Sequence, residues 1–321
     1  MEPIKGLHHV TAVTGDAQRN VDFYRQILGQ RLVKKTVNFD APDAYHLYFG
    51  DYIGTPGSIL TFFAWPNIKR DMRGNGETAA VAYNIPVHSL GFWQEHLQRH
   101  GIFTQGLEDR FGEQVLAFED PDGMVLELVA SGPSAEIRHW EAGPIPQEHA
   151  LRGFHSVTLW LDEIEPTAEL LIQQMGFSFT GRNENRHRFT GRPASLARTI
   201  DILHRPQQPE DLPGQAIFGA GSIHHIAFRV SSDEEQLEYQ AALRAAGHAV
   251  TPVRDRNYFQ SIYYREPGGV LFEIATEPPG FAIDEPPASL GESLKLPEWF
   301  EPNRQLIEAS LPSLTLKPVV T

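Results

Sequence analysis

The stretches "GLHHVT" (Gly6–Thr11) and "SIHHIA" (Ser222–Ala227) have the same shape, an adjacent histidine pair opening an apolar strand, at opposite ends of a 321-residue chain. The first runs on through "AVTGDAQRNVDFYRQILG", whose Val21, Tyr24, Ile27 and Leu28 fall on one face of a helix. Asp16 is placed to cap the start of that helix and Gly29 to end it. Strands "RLVKKTVNF", "AYHLYFGD" and "SILTFFAW" complete the unit. The second histidine pair opens "HHIAFRV", followed by the helix "DEEQLEYQAALRAAG" and the hairpin "SIYYREPGGVLFEIA".

Two further copies lie between these. One runs from "AAVAYNIP" through the helix "SLGFWQEHLQRHG" to "QVLAFEDPDGMVLELVA", where Pro121-Asp122-Gly123 marks a turn matching Pro267-Gly268-Gly269 of the last unit. The other runs from "FHSVTLWL" through "PTAELLIQQMG", with Pro166 suited to a first helical turn, to "NRHRFTG" and "ARTIDILH". Four strand-helix-strands units predict an α+β fold of four tandem βαβββ modules, each presenting one curved sheet face. The modules divide into a first pair over residues 1–132 and a second over 150–277, with a boundary in the proline- and glycine-rich segment 131–149. A loose segment at 205–215 separates the third and fourth modules. The proline-rich residues 278–321 read as a tail laid over the surface, with a short helix in "EPNRQLIEASL".

Composition narrows the function. No apolar run approaches the roughly 20 residues of a membrane span, and a net charge of −14 without a basic cluster argues against nucleic acid. Met-Glu-Pro-Ile-Lys leads straight into the first strand with no secretory signal, and cysteine is absent, so a cytoplasmic protein is expected. Without thiolates, a metal must be held by His, Asp or Glu, which points to iron, manganese or catalytic zinc. The oligomeric state stays open, a homo-oligomer included.

Aligning the modules by their first strands places His9, Ala80, Ser156 and His225 at one position. Aligning their last strands places Thr61, Glu127, Asp201 and Glu273 at another, 45 to 52 residues further on. Modules one and four together offer His9, His225 and Glu273, the two-histidine, one-carboxylate set that leaves coordination positions open on non-haem Fe(II). Modules two and three offer no histidine at these positions. A histidine on an apolar strand is more often a satisfied core residue than a ligand. Glu273, set among Val, Leu, Phe and Ile, is harder to bury without a cation. Glu127 and Asp201 raise the same problem, and Arg110 or Arg198 would neutralise them. By strand alternation His8 and His224 face away from their neighbours and read as structural, although a position at the sheet rim keeps an acid–base role open. "RDRNYFQSIYYREPGG" adds Arg254, Arg256, Tyr258, Tyr263, Tyr264 and Arg265, ordinary strand chemistry or groups that bind an oxygen-bearing substrate.

These residues give the chain a resemblance. "GLHHVTAVTGDAQRNVDFYRQILGQRLVKKTVNFD", "YHLYFGDYIGTPGS", "RGFHSVTL", "NRHRF", "IHHIAFRV", "YFQSIYYREPGGVLFEIAT" and "LKLPEWFEPNRQLIE" resemble the vicinal oxygen chelate superfamily, and within it the hydroquinone-type ring-cleaving dioxygenases, over essentially the whole chain. The resemblance implies two curved mixed sheets, the vicinal oxygen chelate fold. It implies Fe(II), with Mn(II) as the alternative ion, on His9, His225 and Glu273, and puts His8, Thr11, Arg256 and Tyr263 around it as catalytic groups. It implies a small para-dihydroxy aromatic substrate and O₂, with the ring opened and both oxygen atoms retained. Ser156 at the third module's ligand position departs from conventional extradiol catechol enzymes, which take their ligands from the second half of the chain. A glyoxalase-like isomerase, a glutathione transferase for a small drug and a non-enzymatic aromatic-binding protein are the alternatives on the same scaffold. Thr61 removes the fourth ligand that a glyoxalase site expects.

Overall fold

Each module of this computed structural model, which describes residues 1–131, 137–192, 197–206 and 215–319, is built from its local sequence in the same order. In the first, β1 (Leu7–Thr14) leads into α1 (Ala17–Asp22), capped by the Asp16 side chain, which accepts the Arg19 N–H at 3.0 Å. A π turn over Phe23–Ile27 extends the helix, and Gly29 follows it at φ +67°. A Cβ at Gly29 would stand 2.5 Å from Ile145, so the position excludes a side chain on space as well as backbone. The module ends with β2 (Arg31–Asn38), β3 (Ala41–Gly50) and β4 (Ile59–Ala64).

The second module comprises β5 (Glu77–Pro86), α2 (Leu90–Arg99), β6 (Glu108–Arg110), β7 (Glu113–Glu119) and β8 (Val125–Ser131). The third comprises β9 (Phe154–Leu161), α3 (Glu165–Glu169) with its own π turn, β10 (Ser178–Asn183), β11 (Arg186–Thr190) and β12 (Thr199–His204). The fourth comprises β13 (Ile223–Val230), α4 (Asp233–Ala245), β14 (Arg254–Asp255), β15 (Gln260–Arg265) and β16 (Leu271–Thr276). Ser232 caps α4, and Asp233, Glu234 and Glu235 in its first turn suit the positive end of the helix dipole.

In every module the first and last strands pair in parallel, and the others follow antiparallel. Two eight-stranded mixed sheets result, ordered β14-β15-β16-β13-β1-β4-β3-β2 and β10-β11-β12-β9-β5-β8-β7-β6. Antiparallel pairing of β1 with β13 joins modules one and four, and that of β5 with β9 joins modules two and three. Each sheet therefore takes one module from each half of the chain. The four βαβββ modules and two curved sheets expected from sequence are present. The expected connectors at 131–149 and 205–215 include residues 132–136 and 207–214, which lie outside the described residues.

Alternation along the strands sorts the first sheet into two faces. Val10, Ala12, Leu60, Phe62, Ile226, Phe228, Phe272 and Ile274 are buried in the main core beneath the helices. His9, Thr11, Ile59, Thr61, His225 and Glu273 take the other face, where Val33, Tyr48, Ala227, Tyr258, Phe259 and Ala275 form a second apolar cluster with Ile59. Phe281 and Leu290 of the C-terminal segment belong to that cluster, so the segment packs on this face of the sheet while most of its other residues stay exposed or half-buried. The short helix α5 (Arg304–Ser310) lies where the sequence placed it and buries Ile307.

Candidate metal centre

The strand register converts the repeat into a site. Thr11 lies directly across β1–β13 from His225, and His9 across from Ala227, which in turn pairs with Glu273. Ala227 contributes only a methyl group, so the space between His9 and Glu273 stays open to their longer side chains. His9 Nε2 and His225 Nε2 stand 3.3 Å apart, and Glu273 Oε2 lies 3.4 Å from the first and 2.9 Å from the second. Among the described residues this is the one group of three or more His, Asp or Glu side chains gathered closely enough to hold a metal ion.

The donor set fits a divalent cation. All three residues are buried, and Glu273 Oε2 has no hydrogen-bond partner among the described residues despite its proximity to both rings. An unsatisfied buried carboxylate oxygen facing two imidazole nitrogens is costly unless a cation lies between them. The far side of each ring is already engaged: His9 Nδ1 is 2.9 Å from His8 Nδ1, and His225 Nδ1 is 2.7 Å from His224 Nδ1. Such outer contacts orient an imidazole and leave its Nε2 for a metal. Ser261 donates to Glu273 Oε1 at 2.5 Å and orients the carboxylate. Burial works to raise the Glu273 carboxyl, but the His9 and His225 rings outweigh it and hold the group well below the usual carboxylate range.

The contacts of His8 and His224 depart from simple alternation. The β1–β13 register slips between Leu7 and His9 and between Thr11 and Ala12, so His8 and His224 are each the extra residue of a β-bulge. A bulge lets consecutive side chains turn to the same side, which is how each histidine reaches its neighbour's Nδ1. The β5–β9 pair slips at the equivalent places, Ala79 and His155. The bulge thus belongs to the module, and only its occupants differ.

A cavity of about 270 Å³ opens beside His9 and His225, lined by aromatic residues that include Phe39, Tyr48, Phe63, Trp65 and Phe259 and by the polar groups His46, His224, Arg256 and Tyr263. It exceeds the roughly 150 Å³ that suffices for a benzene ring. Tyr263 pairs with Glu273 across β15–β16 and accepts from Arg256 Nε at 3.0 Å, while Arg256 Nη2 donates to Asp40 at 3.0 Å. Burial raises the Tyr263 phenol, with the Glu273 charge adding to it. Arg254 lies at the edge, 4.0 Å from Asp40. Thr11 is fully buried on the ligand face and bonded to Thr61 at 2.9 Å. His8 packs behind His9 against Phe259 without lining the cavity.

The second sheet neutralises its buried carboxylates with arginine. In its equivalent positions stand Ala80, Glu127, Ser156 and Asp201, in the same register as His9, Thr61, His225 and Glu273. Arg110 donates to Glu127 at 2.6 Å, as one of the two suggested arginines would. Asp201 is held by Arg186 and by a two-pronged contact from Arg188 at 2.9 and 3.0 Å. Arg198 does not reach it and instead donates to the Arg192 carbonyl. The guanidinium groups supply the positive charge that the buried carboxylates need.

His46 and Tyr48 escaped the reading of "AYHLYFGD", although a histidine and a tyrosine two apart in an apolar strand share one face. Lys34, fully buried against Asp284 and Glu285, also escaped it, because its partners are some 250 residues away.

Comparison with known proteins follows this geometry. The model of the Glyoxalase/Bleomycin resistance protein/Dioxygenase superfamily matches residues 6–128 and 142–274. MhqO of Bacillus subtilis (strain 168), named as a candidate ring-cleaving dioxygenase, is 43% identical over 308 residues, 95% of each chain. The chlorohydroquinone/hydroquinone 1,2-dioxygenase of Sphingobium indicum is 39% identical over 308 residues, 94% of each. A crystal structure of a candidate dioxygenase from Bacillus subtilis superposes with a TM-score of 0.91 at 40% identity, covering 99% of this chain and 100% of the other. Glyoxalase I from Zea mays shares the fold alone, with a TM-score of 0.61 at 13% identity over 85% of this chain and 92% of the other. No helix among the described residues is long and apolar enough to cross a membrane.

Proposed function

This chain belongs to the Glyoxalase/Bleomycin resistance protein/Dioxygenase superfamily, and we propose that it opens the ring of a hydroquinone-type aromatic with O₂ at an iron site made by His9, His225 and Glu273. The observation that carries this reading is the convergence of two Nε2 atoms and one unsatisfied carboxylate oxygen beside a cavity large enough for one aromatic ring. The sequence relative whose name gives hydroquinone as its substrate matches this chain over 94% of its length. Fe(II), with Mn(II) as the alternative ion, would bring the phenol oxygen and O₂ together and lower the pKa of the phenol.

The protein's own groups then divide the remaining work. Phe39, Phe63, Trp65 and Phe259 hold the apolar faces of the ring and exclude water. Tyr263, kept protonated by burial and braced by Arg256, donates to a substrate oxygen. Thr11 offers a hydroxyl on the ligand face, and His8 orients His9 through the Nδ1 contact. Because both atoms of O₂ enter the product, the overall reaction needs no external reductant.

A glyoxalase-like isomerase needs a fourth ligand at the Thr61 position. There the hydroxyl is committed to Thr11 and His46. The test is anaerobic reconstitution with Fe(II), followed by O₂ uptake with hydroquinone, methylhydroquinone and catechol. Uptake with the para-dihydroxy compounds and a product carrying two ¹⁸O atoms from ¹⁸O₂ is expected. A protein with one iron per chain that consumes no O₂ with any of the three would refute the assignment.

A further inference from the structure

One hydrogen-bonded row runs along the ligand face of the first sheet from β3 to β1. Tyr48 Oη lies 2.9 Å from His46 Nδ1, His46 Nε2 lies 2.8 Å from Thr61 Oγ1, and Thr61 donates to Thr11 Oγ1 at 2.9 Å. All four side chains are buried from the outer surface, and Tyr48 and His46 also line the cavity beside His9 and His225.

The row has a direction. A neutral imidazole carries one proton, so His46 accepts at one nitrogen and donates at the other. The Tyr48 hydroxyl sits among the rings of Tyr258 and Phe281, with His46 as its only hydrogen-bond partner among the described residues. With that proton given to His46 Nδ1, the imidazole proton is left on Nε2 to be donated to Thr61. Thr61 passes its own proton to Thr11. At the end of the row Thr11 already accepts one hydrogen bond, and its own proton has no partner among the described residues. Thr11 is fully buried on the same face as His9, directly opposite His225 and behind the lining of the cavity, so that proton is left for a group held at His9 and His225.

We propose that His46, oriented by Tyr48, is a positioning residue that makes Thr11 a one-way hydrogen-bond donor to the substrate oxygen beside His9 and His225. The substrate part rests on the dioxygenase reading above, whereas the direction of the row does not. The arrangement also gives Thr61 a role. In this module the fourth inward position links the row instead of adding a ligand.

Two measurements test it. The first is ¹⁵N–¹H correlation of the histidine rings in the full metal-free chain, with His46 assigned by its absence in His46→Gln. The expected result is a neutral ring protonated at Nε2, with the signal changed by Tyr48→Phe. A ring protonated at Nδ1 overturns the proposal whatever the enzyme's activity. The second is kinetics of the Fe(II)-reconstituted protein. His46→Leu and Thr11→Val should each lower kcat by about 10–100-fold with little change in KM, while iron content stays at the wild-type level. His46→Gln, which still donates to Thr61, should recover most of the loss and shows whether His46→Leu failed merely by misfolding. His46→Leu combined with Thr11→Val should be no slower than Thr11→Val alone. Losses that multiply, or a His46→Gln as slow as His46→Leu, would overturn the relay. A wild-type protein without O₂ uptake would overturn the function and leave the ring measurement to judge the row.

Discussion

Replacing Lys34 with methionine removes a cation that two carboxylates of the C-terminal segment share. Lys34 is fully buried, and its Nζ lies 2.5 Å from both Asp284 Oδ1 and Glu285 Oε2, with the Tyr258 ring 5.0 Å away. Asp284 is 25% exposed and keeps the Tyr258 hydroxyl at 2.9 Å, so water can replace its lost bond. Glu285 is 3% exposed and would keep only the longer contacts from Gly291 N at 3.3 Å and Ser293 Oγ at 3.2 Å. Stranding one buried charge costs about 3–5 kcal/mol. Local detachment of the segment caps the loss, because Glu285 then reaches water at the expense of the buried Phe281 and Leu290 contacts. Urea denaturation should show a loss of this size, and limited proteolysis should cut the segment sooner than in the wild type. Adding Glu285→Gln to the variant should recover more than half of the loss, since the stranded charge is gone. A loss under about 1 kcal/mol, or a double variant no better than Lys34→Met, would refute the reasoning. The effect bears on the site, because Tyr258 is followed by Phe259, which packs on the rings of His8 and His9 at 5.0 Å.

Alanine at His9, His225 or Glu273 should reduce bound iron from one per chain to near zero, measured by elemental analysis, while alanine at Glu127 or Asp201 leaves iron content unchanged. Tyr263→Phe should lower kcat for a para-dihydroxy substrate by about 100-fold or more without loss of iron; a rate within a few-fold of wild type would remove Tyr263 from proton transfer. Asp120 is buried in the turn after β7, where desolvation foremost pushes its carboxyl up to about 6 from the usual 3.8. The folded state therefore holds that proton more tightly than the unfolded state. The associated stabilisation is present in full below about pH 3.8 and is lost as pH rises through about 6. Relative to Asp120→Asn, the wild type should lose about 3 kcal/mol across that window, at about 1.4 kcal/mol per pKa unit. A constant difference between the two in urea denaturations at several pH values would contradict this.

Much of the architecture was legible in the chain because it is written locally. Period-two alternation in "HHVTAV" and "HHIAFRV", a helix bounded by Asp16 and Gly29, and proline-glycine turns at 121–123 and 267–269 each depend on a few consecutive residues. The similar spacing of the modules then placed His9 and His225 at matching positions without any tertiary information. Tyr48, His46 and Lys34 were harder to read. Their meaning lies in partners on other strands or in the distant C-terminal segment, and no local pattern distinguishes them from strand residues.

What the sequence determined by itself was the repeated unit and which side chains of each unit face one way, since backbone alternation and capping act over neighbouring residues. The tertiary structure decided which units meet: pairing of β1 with β13 is a long-range contact, and it alone brings two histidines 216 residues apart to within 3.3 Å. It also decided that His8 and His224 turn toward their neighbours, because a bulge is a mismatch between two strands and exists in neither strand alone. In the second sheet it put guanidinium groups against Glu127 and Asp201, so that two sites built on one register differ in what neutralises their buried carboxylates.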